Sequence, residues 1–237
     1  MGASTPVYIQ IHNQIRKEIE EGKWAVGERI PSERELSTFF NVSRMTLRQA
    51  IQTLVDEGIL ERKIGSGTFV ARQKVQEQMS GIDSFTDIML SQGRKPTSKT
   101  VSYHVKPASF SEAEKLQLEE ETSVLRMERI RYADGIPICF EVATIPFHLV
   151  ESLSKPEVTR SLYKTLELEK GLVIGRAEQT VSAMLASEKI SEYLDIKRGE
   201  AVLRLKQISY FVDGKPFEYV RTQYVGNRFE FYLEKNN

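Results

Sequence analysis

The segment EKLQLEEETSVLRMERIRYADGIPICFE, starting at Glu114, recurs as EYLDIKRGEAVLRLKQISYFVDGKPFEY from Glu192, seventy-eight positions later (192 − 114 = 78). Glu114, Leu116, Val124, Leu125, Arg126 and Tyr132 have Glu192, Leu194, Val202, Leu203, Arg204 and Tyr210 as equivalents, and Asp134-Gly135 matches Asp213-Gly214 after one inserted residue. Each copy offers a short helix, a strand, a DG hairpin turn whose residues accept positive φ, and a returning strand. The two copies are therefore predicted to share one mostly antiparallel sheet, and two copies are too few for a solenoid.

The chain has room for more than this. With 237 residues, 40 % hydrophobic and 28 % charged, it can bury two ordinary cores. No apolar run reaches the ~18 residues of a membrane-spanning helix, and the opening MGASTPVYIQIHNQ has no basic segment followed by an apolar one. A cytoplasmic protein without a membrane partner is the expectation. The single Cys139 excludes an internal disulfide framework and a cysteine-clustered zinc site, while His12, His104 and His148 lie too far apart for a metal motif; neither a metal nor a cofactor is expected. Thirty-three Lys+Arg cancel thirty-three Asp+Glu. Even residues 1–72 hold ten basic against nine acidic side chains, a net of +1 (10 − 9), so a polyanionic partner has to be read from where the charges sit.

Ahead of the repeat the periodicity becomes helical. Thr5-Pro6 starts a helix whose Tyr8, Ile11, Ile15 and Ile19 share one face up to Gly22. Ser32 and Glu35 have capping-box spacing for a second helix, predicted to bury Leu36, Phe39 and Phe40. A third, capped by Ser43, is predicted to bury Leu47, Ile51, Leu54 and Val55 and to stop near Gly58. Two short helices joined by so tight a turn make a helix-turn-helix candidate. Arg44 and Arg48 are four apart on the third helix, with Thr46, Gln49 and Gln52 alongside. Arginine grips phosphate or reads guanine, and glutamine can pair with adenine. Residues 59–63 and 68–72 then form a hairpin around Ile64-Gly65-Ser66-Gly67, whose glycines let backbone approach a phosphate. Taken singly, an RxxxR pair is an ordinary solvated helix face; the ordered combination fits a helix in a major groove and a wing beside it.

The segment PSERELSTFF, then NVSRMTLRQAIQTLVDEGIL, then GSGTFV resembles the winged helix of GntR-superfamily regulators over residues 5 to 72. That resemblance implies DNA contacts from Ser32, Arg34, Ser43, Arg44, Thr46, Arg48 and Gln49 on the helices and from Lys63, Gly65, Gly67 and Thr68 on the wing.

Within the repeat, the differences between copies point to a site. The first copy carries Arg129 and Arg131, two apart and so on one strand face, where the second has Gln207 and Ser209. Two guanidinium groups on one face repel unless something anionic sits between them. Glu141 and Glu218 lie on the return strands, and a carboxylate suits sugar hydroxyls. The alternative is an exposed cross-strand ion pair of Arg129 or Arg131 with Glu141.

Residues 80 to 237, with SGIDSFTDIMLSQG, RIRYADGIPICFE, RSLYKTLE and PFEYVRTQYVGNRFEF, resemble the UTRA effector-binding domain of the HutC subfamily, whose fold is similar to chorismate lyase. The implied fold class is α+β: a winged helix-turn-helix domain at 1–72, a linker at 73–81, and a UTRA domain at 82–237. Within the subfamily the nearest resemblance is to repressors of N-acetylglucosamine utilisation. It implies that Ser84, Phe85, Thr86, Arg129 and Arg131 surround a phosphate, helped by Ser161 and Tyr163, and that Glu141, Glu218 and Tyr224 bind the sugar. The expected protein is a homodimeric repressor that reads operator DNA and is released by a small-molecule effector such as N-acetylglucosamine 6-phosphate or glucosamine 6-phosphate. Other anionic metabolites are the alternative. A chorismate-lyase-like enzyme is not expected, because the chain shows no nucleophile elbow, metal motif or evident acid–base pair.

Overall fold

The computed structural model describes residues 5–71, 74–79 and 81–234, and the chain divides into two compact units, Met1–Gln73 and Lys74–Asn237.

In the first unit, α1 (Val7–Glu20), α2 (Glu33–Phe39) and α3 (Arg44–Asp56) precede a hairpin of β1 (Leu60–Lys63) and β2 (Gly67–Val70). The α2 start is a complete capping box, with Ser32 Oγ accepting from the Glu35 amide and the Glu35 carboxylate accepting from the Ser32 amide. Ile11 and Ile15 of α1, Leu36 of α2, Leu47, Ile51 and Leu54 of α3, and Leu60 and Val70 of the hairpin make one core with Trp24 and Ile30. Phe39, predicted to be buried, is 67 % exposed. The helix is only two turns long, so Leu36 reaches the core and Phe39 stacks edge-on against Phe40 instead.

The second unit is built on six antiparallel strands: β4 (Pro96–Pro107), β5 (Ser123–Ala133), β6 (Ile136–Pro146), β7 (Ile174–Leu185), β8 (Ala201–Phe211) and β9 (Pro216–Val225), in the order β4-β5-β6-β9-β8-β7. α5 (Phe110–Leu116) joins β4 to β5, and α7 (Glu188–Leu194) joins β7 to β8. The repeat extends beyond its readable part. The offset of 78 relates the ends of β7 to β4 (174 − 96; 185 − 107), of α7 to α5 (188 − 110; 194 − 116) and of β8 to β5 (201 − 123; 211 − 133). PTSKTVSYHVKP and IGRAEQTVSAML share almost no residues, so edge-strand geometry outlasts sequence identity. The third strands of the two copies, β6 and β9, pair at the centre.

Residues 73–81, expected to be a linker, are in part a strand. β3 (Val75–Gln78) pairs parallel with β10 (Phe229–Tyr232), burying Val75 and Glu77 while Gln76 and Gln78 stay exposed. Four residues with one apolar side chain give too short an alternation to read, and the partner strand lies some 150 residues away, 229 − 75 = 154. Arg72, Gln73 and Ser80 lie outside the described residues. α4 (Phe85–Ser91), capped by Ser84, follows β3, and α6 (Lys155–Lys170) fills the connection between the two copies.

Candidate functional site

In the first unit, α3 buries Leu47, Ala50, Ile51 and Leu54, and this fixes what its other side offers. Arg44, Met45, Arg48 and Gln49 are exposed, and Arg34 of α2 is exposed nearby in sequence. Ser43 Oγ accepts from the Thr46 amide at 3.1 Å and lies 2.9 Å from the Thr46 hydroxyl, so this pair closes the helix start. Gln52 is engaged internally: its amide oxygen accepts from Arg62 Nη1 at 2.8 Å, while Arg62 Nη2 donates to Glu33 at 3.0 Å. At the hairpin tip Gly65 and Gly67 have φ of +74° and +120°. The φ of Gly67 is what calls for glycine; a Cβ there would sit 2.7 Å from Arg29 Nε, and that side chain would have to shift aside. Lys63 lies over the Phe69 ring and is salt-bridged to Glu61 at 3.0 Å. The face is thus exposed cations and amides held on a rigid core. Arg29, the cation beside the tip, carries no sequence signal because it lies between the first two helices, outside either pattern.

In the second unit, one cavity of ≈ 70 Å³ is lined by Ser84, Phe85, Thr86, Arg129, Arg131, Glu141, Tyr163, Glu218 and Tyr224 together. The side chain of Ser161 lies outside the described residues. Register accounts for the convergence. Arg129 pairs with Glu141 and Arg131 with Cys139 across β5–β6, Glu141 pairs with Thr222 and Cys139 with Tyr224 across β6–β9, and Glu218 pairs with Ser209 across β8–β9. All of these therefore occupy one sheet face.

The two arginines differ sharply. Arg129 is 6 % exposed and clamped to Glu141 by two donors, Nε at 2.9 Å and Nη2, with Nη1 donating to the Thr159 carbonyl at 2.8 Å. Arg131 is 4 % exposed, has no carboxylate within salt-bridge distance among the described residues, and donates only a long bond, 3.3 Å, to Thr86 Oγ1. Its Nε is buried without a partner, and its guanidinium lies 4.6 Å from the Phe85 ring centre. Burial and then Arg129 lower the pKa of Arg131. For Glu141 burial acts upward, but Arg129 and Arg131 outweigh it and the carboxyl ends below the usual range.

Farther along the strands, Tyr163 Oη donates to Glu218 at 2.7 Å and meets Ser209 Oγ at 2.9 Å, and Gln207 donates to both hydroxyls. Burial pushes the Glu218 carboxyl up to about 7, partly offset by the Tyr163 bond. Glu77 on β3 also lines the cavity, 8 % exposed and 3.5 Å from the Tyr224 hydroxyl, and burial raises it to about 7. Sequence reasoning missed Glu77 because it lay in the supposed linker, and missed Thr222 because only register shows its facing; the repeat alignment made Gln207 the equivalent of Arg129 without marking it as a cavity residue. The arrangement offers a buried cation, Arg131, without an ion pair among the described residues, at a short helix start with carboxylates and hydroxyls beyond it. It suits a small polar anion.

Sequence comparison agrees with this division. Residues 7–70 match the model of bacterial regulatory proteins of the gntR family, and residues 91–230 match the UTRA domain. The HTH-type transcriptional repressor NagR of Bacillus subtilis (strain 168) is 34 % identical over 95 % of this chain and 93 % of its own. The mannosyl-D-glycerate transport/metabolism system repressor MngR of Escherichia coli (strain K12) is 32 % identical over 96 % and 95 %. Among solved structures, a GntR-family regulator from Enterococcus faecalis V583 shares 65 % identity over 59 % of this chain and all of its own, with a TM-score of 0.57. PhnF from Mycobacterium smegmatis matches 93 % of this chain and 98 % of its own, with a TM-score of 0.71 and 26 % identity. These matches define a DNA-binding transcriptional repressor of the GntR type. The chain belongs to the GntR family, with a winged helix followed by a UTRA domain.

Proposed function

We propose that the chain is a homodimeric repressor released from its operator by an amino-sugar phosphate, glucosamine 6-phosphate or N-acetylglucosamine 6-phosphate. The observation that carries this reading is Arg131. A guanidinium 4 % exposed, with a buried, unpartnered Nε, is costly unless an anion completes its hydrogen bonding. A phosphate does so through charge-assisted bonds, with the first turn of α4 (Ser84, Phe85, Thr86) as further donors and Arg129 behind it. Glu141, Glu218, Tyr163 and Tyr224 then serve as acceptors and donors for sugar hydroxyls or an amine. Relatives named for mannosyl-D-glycerate metabolism and fructoselysine utilisation support a sugar-derived effector.

A hexosamine phosphate held in the cavity touches both Ser84, Phe85 and Thr86 at the start of α4 and Glu77 of β3, which line it together. β3 follows directly on the segment that leads from the first unit, so occupancy changes the link to the DNA-binding unit. A ligand shifts such an equilibrium only by its difference in affinity for the two states. On the DNA side, Arg44, Arg48 and Gln49 read or grip the major groove, Arg34 assists from α2, and Lys63, Thr68 and the Gly65–Gly67 backbone approach a phosphate. A two-fold dimer then spans two half-sites, and the cytoplasm is where it meets them.

The test is calorimetric titration of wild type and Arg131→Ala with each sugar phosphate, paired with operator binding at saturating ligand. Binding by wild type with loss of operator affinity, and neither in Arg131→Ala, is expected. No heat and no operator response in wild type with either compound overturns the amino-sugar assignment. A normal response by Arg131→Ala moves the pocket elsewhere.

A further inference from the structure

The two copies of the repeat divide the cavity of the second unit into unlike halves. Arg131 stands opposite Cys139 across β5–β6, while its equivalent Ser209 (131 + 78 = 209) stands opposite Glu218 across β8–β9. The row that sets a cation against no acid in one copy therefore sets an acid against no cation in the other. The neighbouring row is just as uneven. Arg129 faces Glu141, whereas its equivalent Gln207 (129 + 78 = 207) faces Val220 and accepts from the Gln179 amide at 2.7 Å across β7–β8. One half of the floor is cationic, and the other is lined by an acid, amides and hydroxyls.

β3 adds a second acid to that other half. Glu77 lines the cavity, 8 % exposed, with Phe231 of β10 as its register partner. The Tyr224 hydroxyl donates to it at 3.5 Å, longer than a well-formed hydrogen bond. Facing it are Tyr224 of β9, the Gln179 amide of β7 and Asp83 ahead of α4, with Cys139 and Arg131 beyond Tyr224 in its row. Burial, helped by Asp83, raises the carboxyl to about 7 against the pull of Gln179 and Tyr224. Among the described residues Glu77 and Glu218 have hydroxyl partners and no ion-pair partner. A carboxyl so buried keeps a charge only when a cation joins it.

We propose that Glu77 holds a primary ammonium group of the effector, so that the site selects a hexose phosphate carrying both charges, its phosphate on Arg131 and its free amine on Glu77. This specificity rests on the sugar-phosphate reading above and narrows it: an ammonium gives Glu77 three N–H donors and a positive charge, an acetamide one donor and no charge. Binding breaks the O–H bond of protonated Glu77, its proton passes to the buffer, and the carboxylate accepts an N–H from the ammonium.

The test is calorimetric titration of full-length wild type and Glu77→Gln near neutral pH with glucosamine 6-phosphate, N-acetylglucosamine 6-phosphate and glucose 6-phosphate, each in two buffers of different ionisation enthalpy. Wild type is expected to bind the free amine at least about ten-fold more tightly than the other two, and Glu77→Gln to lose that preference while holding glucose 6-phosphate as wild type does. Wild type should also release more protons than Glu77→Gln on taking up glucosamine 6-phosphate, and the two should match with glucose 6-phosphate, a difference that a merely structural role for Glu77 does not produce. No preference for the free amine in wild type, an unchanged preference or equal proton release in Glu77→Gln, or an equal loss for all three compounds overturns the ammonium assignment while the sugar-phosphate reading stands. The wild-type ranking needs no variant, so it decides even where Glu77→Gln folds poorly. Binding of none of the three overturns both.

Discussion

Arg44 and Arg48 on α3 stand in water on a rigid core, whereas Arg129 and Arg131 on β5 are 6 % and 4 % exposed on a sheet floor. The side chain is the same, but its surroundings give it different work. An exposed guanidinium costs little to keep unpaired and is free for a polyanion, whose contacts are numerous and screened by salt. A buried one is tolerated only when paired, as Arg129 is with Glu141, or when an anion completes its bonding, the role proposed above for Arg131.

The largest expected effect breaks that contrast at its buried end. Arg129→Ala leaves Glu141 buried and unpaired and should lower stability by about 3–5 kcal/mol, whereas Arg48→Ala should change stability by less than about 0.5 kcal/mol; chemical denaturation of both measures this, and equal losses would erase the distinction. Next, Arg44→Ala and Arg48→Ala should each cost about 1–3 kcal/mol of operator binding while leaving effector binding unchanged, as read by operator titration at fixed salt. Gly67→Val should also weaken operator binding, by about 1–3 kcal/mol of wing strain, since a β-branched residue opposes φ +120° and its Cβ meets Arg29.

A comparable or smaller effect is the pH dependence of the sensor. Glu77 and Glu218, raised by burial to about 7, hold protons in the folded chain that the unfolded chain has already released. Their neutral forms favour folding below the ordinary carboxylate range, and that advantage is lost as pH rises through about 7, by roughly 1–3 kcal/mol for each group. Melting temperatures of ligand-free chain should therefore fall between about pH 5 and 8. Glu218→Gln should flatten the fall, and an unchanged slope in that variant would show that Glu218 is not the titrating group.

Much of this was legible in the chain itself. Ser32 with Glu35, and Ser43 before Arg44, announce helices because capping is a local hydrogen-bond requirement. Leu47, Ile51 and Leu54 recur at the period that buries one stripe, and this leaves Arg44 and Arg48 outward without further information. The repeat carried the same kind of local signal through its DG turns and alternating strands, and it singled out Arg129 and Arg131 as the copy that differs.

What only the tertiary structure decided depends on pairings between distant residues. The linker reading failed at β3 because a four-residue strand exists only through β10, 154 positions on. That pairing is what brings Glu77 into the cavity. Phe39 is exposed because so short a helix turns only one apolar stripe inward, and Leu36 with Phe40 at the helix end occupies it. Sequence placed Arg129 and Arg131 on one face, but it could not say which of them Glu141 would neutralise. The β5–β6 register sets Glu141 opposite Arg129 and the uncharged thiol of Cys139 opposite Arg131. Residue type and spacing act within a few positions of the chain, whereas the partner of a charge is whatever the sheet register brings beside it, and that register is the outcome of packing the whole unit.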